Sequence, residues 1–224
     1  MCTFQTNEIY LTWRKAVVNR RYIIGKLIKD GDSYQFQYCP DNELEKAKAV
    51  GFEYYPAFPD VTKTYEDVLP TFSRRLINPA RSDYDKFLKY WCAENYKDDL
   101  FAILGLTGAK LQTDTFEFIA PHYEVPASFY TEVAGLQHTD ENLLNEIKNT
   151  KNPENISLKP EPENKYDPYA VKVFYKEAEL GYVKIIHSSC IAKAFKDNRN
   201  ITARIENIIK NGSIKEILLD IKID

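Results

Sequence analysis

A proline-containing stretch in the middle of the chain, APHYEVPAS at residues 120–128, is the feature that most restricts its fold. The stretch holds two prolines and no apolar periodicity, so neither a helix nor a strand is expected to continue through it. It divides the 224 residues into two pieces, each of ordinary size for a small domain. We therefore expect two domains, at residues 1–122 and 128–224.

Strand-like and helix-like runs are mixed in the first piece. EIYLTW, RRYIIGKLIK and SYQFQY are typical of strands, and DGDS between the last two predicts a hairpin. DNELEKAKAV predicts a helix over residues 41–50 that ends at Gly51. Further helices are predicted over 64–77, over 82–96 with Ser82 as N-cap, and over 98–104, and TDTFEFI predicts a strand. This piece is predicted to be a small antiparallel sheet with several helices.

Short strands dominate the second piece. FYTEVAGL, ISLKPE, YAVKVFY and LGYVK are predicted strands, and KNGS joins a final predicted pair. In YAVKVFY the alternation places Tyr169 on the same face as Val171 and Val173. Helices are predicted over 139–149, with Thr139 as N-cap, and over 187–198. The chain is therefore predicted to be α+β, and its second domain to be an OB-like, mostly antiparallel β-barrel with flanking helices.

Charge and composition restrict the functions open to the chain. The net charge is -3, from 30 basic and 33 acidic residues spread over both halves, so neither half suits nonspecific binding to polyanions. Any nucleic acid would bind at a local site. No apolar run approaches the roughly 20 residues of a membrane span, and the N-terminus lacks the signal-peptide pattern. The four cysteines are far apart, which favours reduced thiols in the cytoplasm: Cys2, Cys39, Cys92 and Cys190.

Catalytic motifs are absent from the sequence. It contains no GxGxxG or GxxxxGK[ST] phosphate loop, no HExxH and no GxSxG, and LGLTGAK at residues 104–110 is interpreted as a turn. The three histidines are far apart. We therefore expect no enzymatic activity, no cofactor and no metal site. Arg74, Arg75 and Arg81 could form an anion-binding patch, but we favour a solvated helix face paired with neighbouring acids.

The segment EPENKYDPYAVKV, residues 161–173, places Tyr166 and Asp167 where a loop enters a strand. If this site binds a nucleic acid, stacking of a base on the tyrosine contributes about 1–3 kcal/mol. A hydrogen bond to a carboxylate contributes about 1.5–3 kcal/mol. Micromolar binding needs about 8 kcal/mol, so phosphate contacts must supply the rest. A carboxylate that accepts from a terminal hydroxyl would also repel a terminal phosphate. In the alternative interpretation, Asp167 caps backbone amides and Tyr166 packs on the barrel.

LKPEPENKYDPYAVKV, followed by LGYVK, resembles the signature of the HIRAN domain, and FYTEVAGLQH and ENLLNEIK fit its bacterial members. The resemblance covers residues 129–224. It implies an OB-like barrel that grips the free 3′ end of single-stranded DNA. By this resemblance Tyr166 stacks on a terminal base, Asp167 accepts from the 3′-hydroxyl, and Asn164 lies at the same turn.

The resemblance also implies contacts outside the turn. Lys184 matches a lysine beside the phosphate track, whereas Ile185 stands where a better-known member has a second lysine. Tyr182 stands where that member has a histidine. Tyr130 is a candidate for the family's first-strand tyrosine. The expected nucleic-acid-binding residues are thus Asn164, Tyr166, Asp167, Tyr182 and Lys184.

The first piece resembles the small N-terminal subdomain of HipA-type toxin kinases over residues 9–75. RRYIIGKLIKDGDSYQFQYCPD, GFEYYPAFPD and VLPTFSRRLI follow that subdomain's order, but the kinase core is missing. The resemblance implies a contact or regulatory role, for which the FEYYPAFP loop could offer apolar surface; we favour its burial in the domain's own core. Two functions result: a non-enzymatic protein that binds a single-stranded DNA 3′ end, or a regulatory subunit of a HipA-like kinase.

Overall fold

The computed structural model describes residues 4, 6–16, 20–39, 41–121, 126–150, 156–211 and 213–224. The chain divides into two compact units, one spanning residues 4–121 and the other containing residues 122–224. Part of the APHYEVPAS stretch, residues 122–125, lies outside the described residues.

An antiparallel sheet organises the N-terminal unit. Its strands are β1 (Glu8–Trp13), β2 (Tyr22–Asp30), β3 (Ser33–Tyr38), β4 (Thr64–Tyr65) and β5 (Phe116–Ile119). They lie in the order β4-β3-β2-β1-β5 with antiparallel pairing throughout. The helices are α1 (Asn42–Ala49), α2 (Leu69–Ser73), α3 (Tyr84–Tyr90) and α4 (Leu100–Thr107), with a 3₁₀ turn at Glu94–Tyr96.

Aromatic side chains fill the core of this unit. Phe36 is fully buried, and its ring lies 5.3 Å from those of Phe58 and Phe72. Phe52 and Tyr55 are buried as well. The FEYYPAFP loop therefore packs into the core of its own domain, which is the interpretation that the sequence analysis favoured. Among the aromatic side chains of this loop, Tyr54 is the exposed one, with 45% of its surface accessible.

Three helix predictions need correction. The predicted helix over residues 64–77 is mostly wrong, because Tyr65 pairs with Phe36 in the sheet and Asp67 takes a positive φ of 51°, which leaves only the short α2 helical. Ser82 does not cap α3; the cap position is Asp83, whose carboxylate is held 2.8 Å from Arg81.

The N-cap prediction for the helix over residues 139–149 is also wrong. The cap is Asp140, whose carboxylate accepts from the amides of Asn142 and Leu143. Thr139 cannot take this part because its hydroxyl donates to the Leu180 carbonyl at 2.7 Å.

Arg75 does not lie on the predicted solvated face, whereas Arg74 and Arg81 are exposed as expected and Arg81 pairs with Asp83. Arg75 is 6% exposed, forms a two-pronged ion pair with Asp114, and donates to the carbonyls of Ala109 and Phe116. Burial opposes its charge, but the bonds to Asp114 raise its pKa overall. Arg75 therefore ties the end of α4 to β5 instead of facing solvent.

Six strands form the sheet of the C-terminal unit. They are β6 (Ala127–Ala134), β7 (Ile156–Pro160), β8 (Val171–Tyr175), β9 (Ala178–Val183), β10 (Ile201–Asn211) and β11 (Ser213–Ile223). The order is β10-β11-β6-β9-β8-β7, antiparallel throughout. The outer strands β7 and β10 approach each other, so the sheet curls into a barrel-like form. The helices are α5 (Glu141–Asn149) and α6 (Ile185–Lys196), with a 3₁₀ turn at Leu136–His138.

The predicted α+β class and the antiparallel barrel-like second domain are confirmed. Alternating residues of β8, from Val171 to Tyr175, are buried in the barrel, as the sequence pattern indicated. Gly181 on β9 takes a φ of +145°, and a Cβ there would lie 2.4 Å from the Ala134 carbonyl oxygen. Glycine is therefore needed where β9 passes close to β6.

Cys39, Cys92 and Cys190 are thiols and not disulfides, while Cys2 lies outside the described residues.

Within the described part of the chain, no helix has the length and apolar character needed to cross a membrane.

Candidate nucleic-acid interface

The segment between β7 and β8, Glu161–Ala170, is here called the β7–β8 turn. Its base is closed by the Glu161 amide, which donates to the Ala170 carbonyl at 2.8 Å. Inside the turn, the Asn164 amide donates to the Glu161 carbonyl and the Ala170 amide donates to the Asp167 carbonyl, both at 3.0 Å. The backbone of the turn is therefore fixed by its own hydrogen bonds.

Asn164 holds the backbone of the two central residues. Its Oδ1 accepts from the amides of Tyr166 at 2.9 Å and Asp167 at 3.2 Å. Its Nδ2 donates to Glu161 Oε2 at 2.6 Å, which fixes the orientation of the amide group. Asn164 therefore acts on Tyr166 and Asp167 through their backbone.

Glu161 connects the turn to the sheet beneath it. Its Oε1 lies 3.0 Å from Lys172 Nζ on β8, and its Oε2 also accepts from the Tyr182 hydroxyl at 3.0 Å. Lys172 in turn lies 3.1 Å from Glu179 on β9. The bonds from Asn164 and Lys172 lower the pKa of the Glu161 carboxyl, and the bonds to Glu161 and Glu179 raise the pKa of Lys172. Glu161 is thus held as a carboxylate.

Tyr182 belongs to this supporting network. Burial, followed by its bond to Glu161, raises the pKa of its hydroxyl. Lys172 Nζ lies 5.8 Å from the centre of its ring, within the range of a cation–π contact. The structure therefore joins Tyr182 to the turn through Glu161 and Lys172.

Both carboxylate oxygens of Asp167 have partners in the fold. Oδ1 accepts from the Tyr169 amide at 2.9 Å, and Oδ2 accepts from Ser188 Oγ at 2.7 Å. Ser188 is 1% exposed and lies near the start of α6, which begins at Ile185. The side chain of Asp167 is only partly buried. Since a carboxylate offers about four lone-pair sites, two remain for a further donor.

Two aromatic side chains project from the turn. Tyr166 is 75% exposed, so it does not pack on the barrel. Tyr169 is 55% exposed, although the alternation placed it within the strand, on the same face as Val171. That prediction is wrong because β8 begins only at Val171, and Tyr169 still belongs to the turn.

The lysines around the turn differ in their availability. Lys184 immediately precedes α6 and forms an ion pair with Glu132 on β6, a residue that is 5% exposed. Lys165 is exposed in the turn itself and has no ion pair among the described residues. Lys165 is therefore the accessible cation beside Tyr166.

The structure brings Asn164, Tyr166 and Asp167 together directly and connects Tyr182 to them through Glu161. Lys184 is engaged with Glu132, and Tyr130 is half-buried on β6 opposite Asp220. Sequence reasoning missed Ser188 because it lies 21 positions from Asp167 with no local pattern to connect them. In the described part of the chain, no group of three or more His, Cys, Asp or Glu side chains could hold a metal ion.

Comparison with known proteins identifies this region. Residues 126–223 match the model of the HIRAN domain. The HIRAN domain of human HLTF is 20% identical with a TM-score of 0.33, over 42% of this chain and 74% of that one. A protein from Lactobacillus plantarum is 17% identical with a TM-score of 0.34, over 42% of this chain and 91% of its own. No curated protein matches the chain. The HipA-type resemblance of the first half is not shown by these comparisons and stays a hypothesis.

Proposed function

Since residues 126–223 match the HIRAN domain, we propose that this chain is a non-enzymatic nucleic-acid-binding protein that recognises the free 3′-hydroxyl end of single-stranded DNA. The β7–β8 turn is the binding element. Tyr166 stacks on the terminal base and Asp167 accepts a hydrogen bond from the 3′-hydroxyl.

One observation carries the proposal: a tyrosine that is 75% exposed stands next to an aspartate whose position is fixed by two hydrogen bonds. The exposed ring of Tyr166 contributes little to folding, because it leaves most of its apolar surface in water. Asp167 is fixed but not saturated, since two of its lone-pair sites remain. This arrangement suits a ligand that presents a flat base and a hydroxyl together.

The charges around the turn favour an end over an internal segment of DNA. The chain has a net charge of -3, so a long phosphate track has little general attraction to hold it. Lys165 offers one accessible cation in the turn. Asp167 would repel a phosphate placed where the hydroxyl binds. A strand that ends at this point presents the hydroxyl without the extra phosphate.

The test is a fluorescence anisotropy titration of the full chain with 5′-labelled single-stranded DNA that ends in either a 3′-hydroxyl or a 3′-phosphate. We expect the hydroxyl end to bind about 10- to 150-fold more tightly, which corresponds to one hydrogen bond to a charged acceptor. Asp167→Asn is the matched variant, because its amide oxygen still accepts from the Tyr169 amide while the charge is lost.

Asp167→Asn should reduce the preference for the hydroxyl end to near equality. Equal affinity of the wild-type chain for the two ends would refute end recognition. Unchanged discrimination in Asp167→Asn would refute the role of this carboxylate.

A further inference from the structure

The β7–β8 turn contains a second exposed ring to which the resemblance assigns no role. Among the described residues of the C-terminal unit, the large apolar side chains that stand exposed are Tyr166 and Tyr169. They are three positions apart in the chain and lie on either side of Asp167. Tyrosine side chains are usually at least partly buried, so two exposed tyrosines on one turn are unusual.

The backbone of Tyr169 is fixed as firmly as that of Tyr166. Its amide donates to Asp167 Oδ1 at 2.9 Å, and the next amide, that of Ala170, donates to the Asp167 carbonyl at 3.0 Å. The residue before Tyr169 is Pro168, whose ring fixes the φ angle of Pro168 itself. The Tyr169 ring is therefore presented from an ordered backbone, which limits the entropy that a ligand must remove on binding.

The two rings are separate surfaces. No ring contact joins Tyr166 to Tyr169 among the described residues, so neither covers the face of the other. Each can stack on its own base, because every nucleobase has a flat π-face.

We propose that Tyr169 is a second stacking platform, which binds the base that precedes the terminal nucleotide of the strand. This inference rests on the proposed function and deepens it, since it makes the ligand a dinucleotide end in place of a single nucleotide. Asp167 then has two tasks: it accepts from the 3′-hydroxyl, and it holds the amide that places the second ring.

Asp167→Ala removes the acceptor for the Tyr169 amide as well as the proposed hydroxyl contact. Its loss of affinity would combine the two effects, and substitution at Tyr169 itself is needed to separate them.

The test uses the full chain and two single-stranded oligonucleotides with 3′-hydroxyl ends, one intact and one with an abasic site at the penultimate position. Tyr169→Ala should weaken binding of the intact oligonucleotide about five- to 150-fold, as expected for one lost base stack. The abasic oligonucleotide should bind the wild type about as weakly, and Tyr169→Ala should weaken its binding no further. Tyr169→Phe, which keeps the ring, should bind like the wild type.

Tyr54→Ala is the matched control, because it removes another exposed tyrosine, 45% exposed, from the N-terminal unit. It should leave binding unchanged. If the wild type prefers a 3′-hydroxyl end but Tyr169→Ala binds the intact oligonucleotide with wild-type affinity, this inference is overturned while the proposed function stands. If the wild type does not bind single-stranded DNA, both are overturned.

Discussion

Ser188 Oγ donates a 2.7 Å hydrogen bond to Asp167 Oδ2, and this bond joins the β7–β8 turn to α6. The same hydroxyl lies 2.8 Å from the Ile185 carbonyl oxygen. A hydroxyl has a single hydrogen, so the two acceptors compete for it, and the charged carboxylate is the stronger. The orientation of Asp167 is thus set by a buried helix residue as well as by its own turn.

Ser188→Ala should reduce end discrimination without removing any group that touches the ligand. The carboxylate loses one of its two fixing bonds, so the 3′-hydroxyl is met by a less ordered acceptor. We also expect the free energy of unfolding of the C-terminal unit to fall by about 1 kcal/mol or more. Anisotropy titration with 3′-hydroxyl and 3′-phosphate ends, together with denaturant unfolding, measures both effects.

The neighbouring Ser189 supplies the control for that substitution, because it lies on the same helix and no bond to Asp167 involves it. Ser189→Ala should retain wild-type discrimination. A Ser188→Ala variant with wild-type discrimination would show that the helix bond does not position the carboxylate for binding.

Local patterns in the sequence were sufficient for most of the strands, but not for β4, which was predicted to be helical, or for the supports of the site. Apolar alternation predicted β8, and the Asn164–Tyr166–Asp167 cluster could be found because all three lie within one turn. The bond from Ser188 could not, since it depends on where the barrel places α6. Tyr169 was assigned to the strand because alternation alone does not show where a turn ends and a strand begins.

Glu161→Gln should destabilise the C-terminal unit at neutral pH, and the difference from wild type should disappear in acid. The folded-state pKa of Glu161 is lowered, chiefly by its bond from Asn164 and then by Lys172. Its stabilising contribution is therefore present above the unfolded pKa of about 4.3 and is lost as the pH falls through the folded value. Thermal unfolding from pH 7 down to pH 3 measures the difference.

Glu163 is an exposed carboxylate in the same turn, with no ion pair among the described residues, and provides the matched control. Glu163→Gln should follow the wild-type pH dependence throughout. A constant gap between Glu161→Gln and wild type across this range would contradict the ionic role of Glu161.

Glu132→Gln should strengthen binding to single-stranded DNA. Lys184 pairs with Glu132, so a phosphate that approaches this lysine must compete with that carboxylate. Removing the negative charge while keeping the side-chain volume releases that competition. Each additional phosphate contact makes the slope of log K against log salt more negative by about 0.7 for single strands.

Titrations over a range of salt concentrations measure that slope, and circular dichroism checks that the buried substitution leaves the fold intact. The double variant Glu132→Gln with Lys184→Met should lose the gain. An unchanged slope in the folded Glu132→Gln variant would show that Glu132 does not keep Lys184 from the phosphates.

Lys165→Met should weaken binding by a similar amount for all base sequences and make the salt slope less steep by about 0.7. Lys165 is the exposed cation in the turn, and a phosphate contact carries no sequence information. Lys215→Met, which removes an exposed lysine from β11, is the charge-matched control and should leave the slope unchanged. A loss of affinity in Lys165→Met that depended on base identity would indicate a base contact instead.

Tyr38 should make the N-terminal unit sensitive to alkali. Its hydroxyl donates to the Phe58 carbonyl at 2.6 Å and accepts from the Tyr55 amide at 2.7 Å, and burial raises the pKa of Tyr38 to about 12. In the unfolded chain it ionises near pH 10, so its contribution is complete below about pH 10 and is lost as the pH rises toward 12. Tyr38→Phe should cost about 1–3 kcal/mol at neutral pH, because two buried backbone groups lose their partner.

The difference in the free energy of unfolding between wild type and Tyr38→Phe should therefore narrow as the pH rises above 10, because only the wild type has a phenol at this position that must stay neutral in the folded state. Denaturant unfolding of both chains between pH 7 and pH 11 measures it, and comparison at each pH cancels the titration of the other tyrosines. Tyr54→Phe, at an exposed position in the same unit, should show no gap at any pH. A gap for Tyr38→Phe that stayed constant up to pH 11 would mean that the phenol ionises in the folded state as readily as in the unfolded one, and that burial does not hold it neutral.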